Sequence, residues 1–64
     1  MIRQYLEERI GPVTDREFEL AGSVVKRYIL EELGGSVRIE LMNELMLHVA
    51  AKMKNYRLMA WAES

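Results

Sequence analysis

The stretch 36–61 carries more apolar surface than the rest of a 64-residue chain can easily cover. Written as heptads, Ile39, Met42, Met46, Val49, Met53, Tyr56 and Ala60 recur at alternating steps of three and four. That spacing belongs to a helix facing another helix. Leu41, Leu45, Leu47, Leu58 and Trp61 fall off this line, so the apolar arc is wider than one partner helix requires. Glu40, Asn43, Glu44, Lys54 and Arg57 mark the wet side. Ser36 suits the N-cap, with its hydroxyl free to accept from a first-turn amide. A helix over 37–61 would run roughly 37 Å at 1.5 Å per residue.

A rival reading applies to 37–41. Val37-Arg38-Ile39-Glu40-Leu41 alternates apolar and polar, and Gly34-Gly35 ahead of it suits a hairpin turn, so a short strand competes there. Leu41-Met42 breaks the alternation, and the residues that follow are good helix formers, which favours the helix.

The strongest local signal is Thr14-Asp15-Arg16-Glu17, a capping box. In it the threonine hydroxyl takes the Glu17 amide and the Glu17 carboxylate returns to the Thr14 amide, with Val13 and Phe18 placed as a hydrophobic staple. Asp15 and Glu17 also sit at the positive end of the helix dipole. The helix that starts here is expected to run to about residue 33, with Phe18, Ala21, Val24, Val25, Tyr28 and Ile29 as its core stripe and Gly34 closing it. Gly22 inside it costs helix propensity, and a close helix–helix approach would account for it. Ahead of the box, Ile2, Tyr5, Leu6 and Ile10 form a short amphipathic face stopped by Gly11-Pro12. The tail 62–64 is expected to fray.

These signals predict an all-α single domain over 1–64, with helices at about 2–10, 15–33 and 37–61. The short N-terminal helix accompanies an antiparallel hairpin, and dimerisation would complete a four-helix-bundle core. A chain of this size buries only about 60% of its unfolded surface, so small scaffolds lean on disulfides, a metal or self-association. With no cysteine and one histidine, self-association is the remaining route. Its candidate residues are Ile39, Met42, Leu45, Met46, Val49, Met53 and Tyr56, where the methionines also offer a soft, adaptable surface.

Functional signals are weaker. Net charge is −1, which argues against a general nucleic-acid or anionic-membrane binder. Charges at Arg3, Glu7, Glu8 and Arg9 interrupt any signal-peptide core, and no apolar run approaches a bilayer span, so a cytoplasmic protein without a membrane role is expected. His48 has Glu44 one turn away, but a half-exposed polar residue explains it more simply than acid–base chemistry. Glu31-Glu32 and Glu40/Glu44 lack the spacing of a cation loop. Gly34-Gly35-Ser36 resembles a phosphate-binding turn only in its free amides, without the P-loop lysine. No nucleophile set appears, so the expectation is a protein that is not an enzyme and takes no cofactor or metal. The preferred function is a small regulatory or adaptor protein acting through protein–protein contacts and a homodimer, its protein partner unspecified by the sequence. The alternative is a small dimeric DNA- or RNA-binding regulator of transcription, with candidate nucleic-acid contacts at Lys26, Arg27, Lys52, Lys54 and Arg57.

Overall fold

The computed structural model describes the backbone of residues 2–63 and the side chains of residues 2–57. It holds three helices: α1 (Ile2–Ile10), α2 (Asp15–Glu32) and α3 (Ile39–Glu63). No strand occurs among the described residues, so 37–41 does not pair as a β-ribbon.

α1 ends because Gly11 takes φ +82°, a left-handed conformation that only glycine adopts without a Cβ penalty. Its amide still reaches back to the Glu7 carbonyl at 3.0 Å. α2 opens on the capping box: the Glu17 amide donates to Thr14 Oγ1 at 3.1 Å and the Thr14 amide donates to Glu17 Oε1 at 3.0 Å. Each bond satisfies an amide that a helix start would otherwise leave without a partner. α2 closes on the Ile29 carbonyl, which accepts from the Leu33 amide at 3.1 Å and the Gly35 amide at 2.9 Å. That double closure needs Gly34 and Gly35 at positive φ.

The start of α3 departs from the sequence reading. Ser36 is not its N-cap: residues 36–38 are irregular, and the first helical bond runs from the Met42 amide to the Arg38 carbonyl at 3.0 Å. Val37 is the physical reason. Its half-buried side chain packs onto the core while Ser36 and Arg38 stay exposed, so the chain must cross the end of the hairpin before it can coil. At its other end α3 continues through Ala62 to Glu63, two residues past Trp61.

α3 is the element on which the other two rest. α2 and α3 are antiparallel, since Arg57 near the end of α3 pairs with Glu17 at the start of α2. The buried core joins Leu6 of α1, Val13 of the first connection, Ala21, Val25 and Ile29 of α2, and Met46 and Ala50 of α3. The α2 members recur every fourth residue, a single helical row. On α3 the buried pair is Met46 and Ala50, four residues apart, so the line that meets the core is rotated from the expected heptad seam. Ala50 was not expected there; its single methyl lets the helices approach closely, and it is 1% exposed. Of the seam residues, Met42, Val49 and Met53 are half-buried, whereas Ile39 and Tyr56 project into solvent. Ala60, with the flank residues Leu58 and Trp61, lies outside the described side chains.

α1 covers one flank of the hairpin and is tied down at both ends. The Arg3 guanidinium pairs with Asp15, donates to the Val13 carbonyl at 2.8 Å and lies 5.8 Å from the Phe18 ring centroid. At the other end Lys54 Nζ donates to the Ile10 carbonyl, capping an acceptor that the helix terminus leaves free.

Candidate interaction surface

With α1 on one flank, the other flank of the hairpin is left open. Leu20, Val24 and Tyr28 form an i, i+4 row along α2, and Leu41, Leu45 and Val49 form the matching row along α3. The antiparallel register places the rows side by side: Val24 and Tyr28 share a groove of about 270 Å³ with Leu45, His48 and Val49. Leu20, Val24, Tyr28 and Leu41 are between 41% and 47% exposed, which is high for large apolar side chains in neighbouring rows. Together these residues make a patch on the order of 400 Å², within the ~300–600 Å² of the largest apolar patch on a typical monomer, a patch that is often functional. Tyr56, farther along α3, is more exposed still. Among the described residues no other element of the chain covers this face.

The candidate self-association residues divide in three. Met46 is consumed by the chain's own core. Met42, Leu45, Val49 and Met53 are half-buried and pack on that core; of these, Leu45 and Val49 also border the open groove. Ile39 and Tyr56 stand exposed towards opposite ends of α3. The α2 half of the surface, Leu20, Val24 and Tyr28, is absent from the sequence-derived set. Val24 and Tyr28 were read there as core stripe, because one helix's periodicity does not say where its neighbour stops.

The five basic residues considered for nucleic acid do not gather on one face. Arg57 pairs with Glu17 at 3.1 Å, Arg27 with Glu31 at 3.2 Å, and Lys54 with the Ile10 carbonyl. Lys26 and Lys52 remain exposed on different helices. The Arg57 contact ties the α2 cap to α3: the same Glu17 Oε1 that accepts from the Thr14 amide forms the ion pair with Arg57, and the Glu17 side chain is only 12% exposed.

His48 is exposed at the groove edge, and no bond links it to Glu44 among the described residues. The Gly35 amide is occupied by the Ile29 carbonyl, and the glycine turn stands clear of the α3 N-terminus by the residues 36–38. Among the described residues no group of three or more His, Asp and Glu side chains converges, and no helix is long and apolar enough to cross a membrane.

A second concavity, of about 430 Å³, lies on the flank that α1 partly covers, between Ile2, the α2 residues 22–30 and Met42 and Met46 of α3. Gly22 lines it, and a Cβ added there would meet no atom within 4 Å. The expected close helix approach at Gly22 is therefore absent; the glycine faces open space.

Searches against protein-family models, curated proteins and solved structures return no match for this chain.

Proposed function

We propose that this chain is a small, non-enzymatic interaction module that works as a homodimer, with two hairpins closing their open faces on each other to form a four-helix core. The single observation behind this reading is the two-row face on which Leu20, Val24, Tyr28 and Leu41 stand exposed beside half-buried Leu45 and Val49, next to a minimal core. A second copy suits it because the face is two helices wide and apolar on both rows, so the same patch on two chains can meet across a two-fold axis. A stable interface buries about 800 Å² per partner, of which the apolar patch would supply about half and the polar residues around it the rest. The dimer would then present α1 and the outer faces of α2 and α3 to a protein partner, as a regulatory or adaptor protein.

Light scattering on a size-exclusion column over a concentration series tests this. The expected result is twice the 7.5 kDa chain mass, reverting to one chain when Val24→Glu places a carboxylate in the middle of the contact. A wild-type chain that stays monomeric and fully helical into the high micromolar range would refute it.

A further inference from the structure

We propose that the pocket between α1 and α2 binds a medium-chain aliphatic carboxylate, with its alkyl chain along the apolar floor and its head group at Lys26. The volume of about 430 Å³ is within the ~300–1,000 Å³ of small-ligand sites. The floor is hydrocarbon and thioether, from Ile2, Val25, Ile29, Leu30, Met42 and Met46, and Lys26 is the one charged residue on the lining. No acidic side chain pairs with Lys26 among the described residues, and its helix neighbours at three and four residues are Gly22, Ser23, Ile29 and Leu30. An apolar slot with one available cation is complementary to an amphipathic anion rather than to a neutral oil or a cationic amphiphile. Along α2 the lining runs from Gly22 to Leu30, roughly 12 Å at 1.5 Å per residue with Lys26 midway, and the floor continues to Met42 and Met46 of α3, so an alkyl chain held by its head group at Lys26 runs across the two helices.

Gly22 adds an independent reason. A mid-helix glycine weakens its helix. Here no neighbour forbids a side chain, so the glycine's structural consequence is the space it leaves in the pocket wall. The inference does not rest on the dimer, because Gly22 and Lys26 point away from the flank that carries Leu20, Val24 and Tyr28.

The test is an amide-resolved NMR titration of the full chain with hexanoate, octanoate and decanoate, each below its micellar concentration. Saturable shifts centred on Gly22, Lys26, Leu30 and Met42 are expected, with affinity rising about fourfold per added methylene. Lys26→Gln, an exposed substitution that leaves the fold intact, should weaken decanoate three- to tenfold while leaving decanol unchanged. Gly22→Leu should fill the slot and abolish binding of both. Three results would each overturn the assignment: no saturable shift with decanoate, shifts centred on Val24, Tyr28 and Leu45, or a decanoate affinity indifferent to Lys26→Gln.

Discussion

Gly22→Ala should make the protein more stable, and the comparison with Gly34→Ala makes the reasoning sharp. Both glycines have empty space where a Cβ would go, with no atom within 4 Å. They differ in backbone. Gly22 sits inside α2 and is not among the positive-φ glycines, whereas Gly34 has φ +73°. At Gly22 a methyl group removes the entropic penalty of glycine in a helix and meets nothing, so the gain is the full propensity difference, about 0.8–1.0 kcal/mol. For a domain of this size that raises Tm by about 4–8 °C. At Gly34 the same methyl group has equal room but a left-handed backbone, at a cost of about 1–2 kcal/mol. Thermal unfolding followed by circular dichroism reads both, at one fixed protein concentration because a self-associating chain has a concentration-dependent midpoint. A lower Tm for Gly22→Ala would mean that the α2 backbone is approached closely at that point, and the pocket wall would have to be redrawn. A Gly34→Ala variant as stable as the parent would remove the left-handed closure of α2.

Glu17→Ala should cost about 1–2 kcal/mol by denaturant titration, because it removes half of the capping box and the partner of Arg57. Glu17→Gln keeps the box geometry and should lose less than half as much; equal losses would show that the charge, not the cap, is what counts. Leu6 is fully buried at the junction of all three helices, so Leu6→Ala should cost about 2–5 kcal/mol and leave most of the chain unfolded in far-ultraviolet circular dichroism. A native-like melt for that variant would show that α1 is dispensable to the core. Mixed-sequence DNA should give no gel shift at about 50 mM salt, since Arg27, Lys54 and Arg57 already have internal partners; a salt-sensitive shift would contradict that dispersal.

What could be read from the chain alone was whatever is decided within a few residues. The capping box at 14–17, the glycine exits at 11 and 34 and the helical character of all three segments depend on hydrogen bonds and backbone conformations that neighbours along the chain supply. Periodicity also found Ala21, Val25, Ile29 and Met46, because a buried row repeats with the helix. The remaining features belong to distances across the fold. Val37 delays α3 because its side chain has a core to enter, and Ala50 is buried because helices meet there, a contact that its small side chain does not announce. Lys54 finds the Ile10 carbonyl and Arg57 finds Glu17 only once the chain has folded back on itself. The largest such choice is which side of the hairpin α1 covers. A wide apolar arc on α3 is visible as surplus in the sequence, but surplus has no direction. Docking α1 against one flank leaves the rows of Val24 and Tyr28, and of Leu41 and Leu45, facing outward, and that asymmetry is created by packing alone.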